Sequence, residues 1–355
     1  MKKITNDISQ SAKKALITRI ITAVFLALFA IPCLVLGGWF FLGFTIVISI
    51  FAAIEIVRAS NLKGLIRVLI YFITIVFTLA LIFSALYNTK IDFKTTSLIN
   101  LKDSTPFETL SGAYSEIKPS VMLLTLMLII FFLISFSVES FNIAYVFYFT
   151  TMILVVTIGI QSFLFLRFSP FFYFKDYLVS NGQDYKFTIY DWRFEFGQST
   201  FLFIYVIIGV ILNDTGAYIV GMLFGKHKMN ERISPKKTWE GFIGGVVLSI
   251  ISSVLFAIIC AINKKEILPI FDLSHTYYIV IISILIPFIA NIGDFVFSSI
   301  KRNFGVKDFS NLLPGHGGVL DRIDSLIFAS ALVSSLIMFI NLMMESGANA
   351  ITTTI

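Results

Sequence analysis

Charge is scarce in this chain. Of its 355 residues only 14% are Asp, Glu, Lys or Arg, against about 25% in soluble domains. With 57% of the residues apolar, too few polar groups remain to clothe a soluble globule, which must still present a largely polar exterior. A soluble enzyme and a disordered chain are therefore excluded. Cysteine is nearly missing as well. Cys33 and Cys260 both lie inside apolar runs with no CxxC or CxxxC partner, which excludes a secreted disulfide scaffold and argues against zinc. Short alternating apolar stretches are also lacking, so an outer-membrane β-barrel is out. What remains is an all-α polytopic membrane protein. The net charge of +6 comes from basic residues beside apolar runs. They read as orienting the chain and meeting lipid headgroups, with no nucleic-acid partner.

Nine apolar spans are legible, at 18–36, 38–57, 66–87, 120–138, 143–166, 201–224, 241–262, 276–297 and 318–342. Each approaches the ~20 residues that cross a bilayer. The first is too long for the apolar core of a cleavable signal, and Ala27 and Ala30 do not form an A-x-A site. The first two spans make a tight hairpin around Gly37 and Gly38. Lys and Arg favour the N-terminal tail, 58–67, 225–240 and 298–322; 88–119 and 167–199 carry four each, but they are long, mix these with acids and weigh less, so the N-terminus is placed inside and the C-terminus outside. The expected organisation is an N-terminal membrane region, 1–199, with two long outer segments, 88–119 and 167–199. A region carrying the chemistry follows at 200–342, and then a short tail, 343–355.

Ionisable residues inside spans are expensive, so they direct attention. Glu55 is either a plain interfacial acid or a neighbour of a site. Asp214, in Asn213-Asp214-Thr215-Gly216, lies ten residues from the end of its span, or ~15 Å deep at ~1.5 Å per residue. It suggests a polar cavity reaching down from the inner face. The following loop carries Gly225-Lys226 and then Ser234-Pro235-Lys236-Lys237-Thr238-Trp239-Glu240-Gly241. Ser234 and Pro235 suit the first two positions of a helix. Lys236 and Lys237 would then oppose the helix dipole unless a phosphate were bound there. Gly241, Gly244 and Gly245 would let another backbone approach closely.

Farther on, Asp294, Ser298, Lys301 and Arg302 share one helical face if the eighth span continues. That face suits either a metal with phosphates above it or a structural ion pair. The segment Lys307-Asp308-Phe309-Ser310 through Pro314-Gly315-His316-Gly317-Gly318-Val319-Leu320-Asp321-Arg322-Ile323-Asp324 favours the first. Its glycines let backbone reach a ligand. Asp321 and Asp324 lie three apart on one helical face, and with Asp294 they offer hard oxygen ligands of the kind Mg²⁺ takes.

The run from Ser298 through Ile300-Lys301-Arg302, Lys307-Asp308, Ser310, Leu313-Pro314, His316-Gly317-Gly318-Val319 and Asp321-Arg322-Ile323-Asp324 resembles, without a gap, the signature of the phosphatidate cytidylyltransferases. The stretch from Asp214 to Gly245 resembles that family's other recognisable region. Together they cover the C-terminal part of the chain; the N-terminal half is similar only in being multi-span. The resemblance implies a reaction in which CTP and phosphatidic acid give CDP-diacylglycerol and pyrophosphate, with Mg²⁺. It implies metal ligation by Asp294 and Asp321, with a monovalent cation such as K⁺ as a possible companion. It assigns Lys301, Arg302, His316 and Arg322 to catalysis alongside those acids. Asp214, Lys226, Ser234, Lys236, Lys237, Thr238, Lys307 and Asp324 fall to substrate binding. It further implies a homodimer in the cell membrane with its active site facing the cytoplasm. Two other readings stand at this point: a CTP-dependent lipid kinase, and a cation-coupled transporter. The transporter is disfavoured by the uniformly apolar outer halves of the spans.

Overall fold

A computed structural model describes residues 10–88, 119–180, 192–263 and 276–352. Among the described residues there are nine helices: α1 Gln10–Leu36, α2 Gly38–Ala59, α3 Gly64–Asn88, α4 Pro119–Ser137, α5 Ile143–Ser180, α6 Trp192–Phe224, α7 Trp239–Ile262, α8 Thr276–Asn303 and α9 Leu320–Thr352. A two-stranded hairpin, β1 Lys228–Asn230 and β2 Ser234–Thr238, lies between α6 and α7. The chain is an all-α polytopic membrane protein apart from this hairpin. Eight of the helices hold segments long and apolar enough to cross a membrane, from Gly38–Ala59 to Leu320–Ile340.

The apolar stretch described in α1, Ile21–Leu36, is shorter than those eight. Its two ends nevertheless meet opposite ends of its neighbours. Near its start, Thr22 touches Pro314 and His316 in the loop before α9. At its end, the buried Arg167 of α5 donates from Nε to the Leu34 carbonyl at 3.1 Å, and its guanidinium fills the space beside Gly37. Thr22 to Leu36 covers ~21 Å at ~1.5 Å per residue, so α1 traverses most of the thickness that α2 does. The expected hairpin at Gly37 and Gly38 is present, with φ of 62° and 45°. Glycine is needed there because such positive angles crowd a Cβ against the backbone.

Three expectations need correction. Ser234 and Pro235 do not start a helix. They stand in β2, paired across the hairpin with β1 through Asn230↔Ser234 and Lys228↔Thr238. Asn230 Oδ1 accepts from the amides of Arg232 and Ile233, both at 3.1 Å, and this side-chain turn closes the hairpin in place of a helix. The helix begins at Trp239, and Thr238 is its cap, accepting from the Gly241 amide at 3.2 Å. Thr238 wins because its extended backbone frees the hydroxyl to reach that amide. Pro235 costs little in a short edge strand, which does not require its N–H. Lys236 and Lys237 thus precede the helix rather than occupy its first turn.

The outer segment 167–199 is not a separate piece where it is described. α5 continues through Ser180 and α6 begins at Trp192. Most of 88–119 lies outside the described residues. The tail from 343 is helical through Thr352, because α9 runs on, and residues 353–355 lie outside the described residues.

Two packing features position the site. α6 and α7 approach at backbone distance: a Cβ on Gly245 would come within 2.5 Å of the Asn213 carbonyl, and one on Gly241 within 2.7 Å of the Ala217 carbonyl. Gly241 and Gly245 are four apart, so they form one smooth stripe on α7 that admits the other backbone. In addition, α9 packs against α8 and α5 at the centre of the bundle. It brings its first turn up to the end of α2.

Candidate active site

The end of α8, the loop after it and the start of α9 hold most of the polar side chains singled out in the sequence. α8 does continue, and Ser298 donates to Asp294 Oδ1 at 3.2 Å, one turn away on the same face. The other oxygen, Asp294 Oδ2, meets Lys237 Nζ from β2 at 2.5 Å. The Lys237 ammonium also stands 4.5 Å from the centre of the Phe295 ring. The hairpin is held in this place partly by Arg302, whose Nε donates to the Ile233 carbonyl at 3.3 Å. Its Nη1 donates to the Val306 carbonyl at 3.1 Å.

Asp214 and Asp324 complete an acidic group around this pair. Asp214 lies within electrostatic reach of Asp294, Lys237 and Arg322, and Asp324 within reach of Asp294, Lys301 and Asp214. Three carboxylates from three helices therefore share one region with Lys237 at its edge. A buried amide chain underlies it: Asn291 donates to Asn213 Oδ1 at 2.9 Å, and Asn213 donates to Asp214 Oδ1 at 3.3 Å. Although it sits well inside its span, Asp214 is open to the surroundings.

Asp321 has a different environment. Its Oδ1 receives Lys301 Nζ at 2.8 Å, with both side chains buried. Its Oδ2 accepts from the Phe309 and Gly318 amides at 3.0 and 2.9 Å. The carboxylate thus holds the ends of the loop together as well as the cation. Beside it opens a cavity of about 640 Å³ lined by Lys307, Asp308, Asn311, His316, Arg322 and the backbone of the Pro-Gly-His-Gly turn. Arg322, exposed, joins this cavity to the acidic group.

Not every expected residue enters. Thr238 is occupied as the cap of α7. Lys226 presents its backbone to the site's rim: its amide and that of His227 donate to the Glu240 carboxylate, and His227 Nδ1 lies 2.6 Å from Glu240 Oε1. Ser234 is half-buried in β2 and Lys236 exposed.

The largest addition is Glu55. It is buried, with 1% of its surface exposed. Its Oε1 accepts from Ser310 Oγ at 2.6 Å and the Val319 amide at 2.8 Å, and its Oε2 accepts from the Leu320 amide at 2.7 Å. It satisfies the otherwise unpaired amides at the start of α9 from another helix, where a negative charge is favoured. An acid inside an apolar run was the only sequence signal for it. Thr22 gave no signal at all.

The model of the cytidylyltransferase family matches residues 17–340 of this chain. The chain belongs to the cytidylyltransferase family. Among similar curated proteins is a phosphatidate cytidylyltransferase of Staphylococcus haemolyticus, 41% identical over 134 residues, which are 38% of this chain and 48% of that protein. One of Staphylococcus saprophyticus is 41% identical over 149 residues, 42% of this chain and 52% of that protein. One of Bacillus subtilis is 38% identical over 129 residues, 36% of this chain and 44% of that protein. The matches thus span about half the length of these curated relatives.

Whether this family member's site fits a divalent cation is a question of its donors. Among the described residues, no three Asp, Glu, His or Cys side chains form a metal cage by themselves. Mg²⁺ usually takes one or two carboxylates and completes its shell with water and phosphate oxygens. Asp294 has one donor on each oxygen, and Asp321 Oδ1 has one, so both keep lone pairs to offer.

Proposed function

We propose that the protein transfers CMP from CTP to phosphatidic acid, giving CDP-diacylglycerol and pyrophosphate. The observation that carries this reading is the meeting of two unlike surfaces. The acidic group of Asp214, Asp294 and Asp324 stands beside Lys237, and Arg322 joins it to a cavity that also holds Lys307 and His316. Carboxylates without a closed cage suit a cation shared with phosphates, and the basic cavity suits the phosphates themselves.

In this reaction a phosphate oxygen of phosphatidic acid forms a bond to the α-phosphorus of CTP. The bond from that phosphorus to the bridging oxygen breaks, and pyrophosphate leaves with the electron pair. The nucleophile is an anion, so the main tasks are alignment and neutralisation of like charges. Lys237, Lys307 and Arg322 would bind the triphosphate. Lys301 would hold Asp321 in place and add positive charge near it. Glu55 would keep the loop and the α9 terminus rigid. Asp294 and Asp321 would hold Mg²⁺, with a monovalent cation such as K⁺ as its companion. The metal's contribution when bound is to neutralise charge on the transferring phosphates. An exposed acid inside a span, Asp214, supports a lipid headgroup entering from the bilayer. The basic loops support a site facing the cytoplasm, with the N-terminus on the same side.

The test is to give the purified protein phosphatidic acid and CTP labelled separately at the α- and γ-phosphates. Entry of the α-label into lipid, with pyrophosphate released, is the expected result. Entry of the γ-label instead would identify a lipid kinase, and entry of neither would overturn the reading.

A further inference from the structure

We propose that a cavity between the start of α5 and the end of α8 is a lipid site separate from the candidate active site, and that it takes an uncharged diacylglycerol. Its volume is about 480 Å³, with Asn142, Tyr145 and Tyr148 on one side and Ser299, Asn303 and Phe304 on the other. Small-molecule sites fall in the range of about 300–1,000 Å³. The cavity lies at the ends of two spans, Ile143–Arg167 and Tyr277–Asn303, which is the level of lipid heads. On α8 the face that carries Ser299 and Asn303 continues downward as Val296 and Ile292, both exposed. On α5 the neighbouring Ile143 and Phe147 are exposed as well. Acyl chains therefore have apolar helix surface beside them where the head meets the cavity. This is not the face of the acidic group. Asn303 comes nine residues after Asp294, half a turn round the helix at about 100° per residue.

The lining selects the head. No residue that lines the cavity is charged, whereas the cavity beside Asp321 holds Lys307 and Arg322. A phosphate head enclosed without a cation would lose its hydration and gain no ion pair. A diacylglycerol head carries one hydroxyl and two ester carbonyls, and needs only neutral donors and an acceptor. Ser299 and Asn303 supply a hydroxyl and an amide. Asn142 caps α5 through its oxygen, which accepts from the Ala144 and Tyr145 amides at 3.1 and 3.3 Å, so its NH₂ is left to donate. The aromatic wall is fixed in advance. Tyr148 Oη donates to the Ile56 carbonyl at 2.9 Å, and Tyr145 Oη to the Ser60 carbonyl at 3.2 Å. The Phe304 ring centre stands 4.4 Å from that of Tyr148 and 6.4 Å from that of Tyr145. A wall already ordered loses little entropy when a ligand binds, and tyrosine suits the boundary between tails and water.

The experiment places the full chain in phosphatidylcholine nanodiscs with a diacylglycerol that carries a photoreactive diazirine near its ester groups. Mass spectrometry then locates the crosslinks. They are expected to concentrate on residues 142–148 and 292–304, and to be suppressed by unlabelled diacylglycerol but not by equal amounts of phosphatidic acid or CTP. Crosslinks spread evenly over the lipid-facing helices overturn the proposal. So does equal suppression by phosphatidic acid, and suppression by CTP would make the cavity a nucleotide pocket instead. Asn303→Leu keeps the bulk and removes the amide. It is expected to weaken diacylglycerol binding about five- to tenfold with the thermal midpoint unchanged, and unaltered binding overturns recognition of the head by this wall. Crosslinking requires no turnover, so its outcome is read separately from that of the proposed reaction.

Discussion

Two aspartates that the sequence pairs as equals have different duties. Asp294 receives the side chains of Lys237 and Ser298 and no backbone amide. Asp321 receives Lys301 and two loop amides, so its charge also holds the loop. Under the proposed function, Asp294→Asn should lower kcat by about 10²–10³-fold and leave the thermal midpoint in detergent near wild type. Asp321→Asn should lose activity comparably and also lose stability, since an amide NH₂ turned toward a backbone N–H or toward Lys301 leaves donors unpaired at about 1–3 kcal/mol. Thermal unfolding in parallel with α-label transfer checks both. Equal midpoints for the two variants would show that Asp321 does not support the loop. At the same scale Lys237 is the basic residue of β2 that reaches an acid. The helix-dipole argument for it falls, since it precedes the helix.

Between elements, the junction of α2 with α9 is the least forgiving contact. A Cβ on Gly318 would sit 2.6 Å from both Glu55 oxygens, so Gly318→Ala must displace the carboxylate or the loop. Glu55→Gln keeps the volume but turns one acceptor into a donor that faces other donors. Each change is expected to cost about 1–3 kcal/mol of stability and to lower activity by loosening the turn that holds Asp321. Denaturation midpoints of the two variants check this, and wild-type stability in Glu55→Gln would mean the junction is not organised by that charge. The Ser-Pro element teaches a related lesson. Ser234-Pro235 carries a helix-start signal, yet Thr238 takes the cap. Choosing between them requires knowing that Asn230 closes a hairpin and that Arg302 of α8 anchors it.

For the whole molecule, the proposed orientation has the basic loops and the hairpin facing the cytoplasm. In a background with Cys33→Ser and Cys260→Ser, Lys228→Cys in the exposed β1 strand should react with a membrane-impermeant maleimide only in inverted vesicles. Reaction in right-side-out cells would reverse the orientation.

The sequence alone determined the fold class, the positions of the spans and the two motif regions. Those rest on local properties: runs of apolar residues long enough for the bilayer, and glycine, proline and charge at short spacings. It also held the face shared by Asp294 and Ser298, because helical periodicity is local. Tertiary structure decided what each charge does. Glu55 meets Ser310 across 255 positions and Leu320 across 265, and Thr22 meets His316 across a comparable gap. No spacing rule spans such distances. A buried carboxylate or hydroxyl takes its partners from whichever helices pack beside it, and that packing is set by the apolar and glycine faces of the whole bundle.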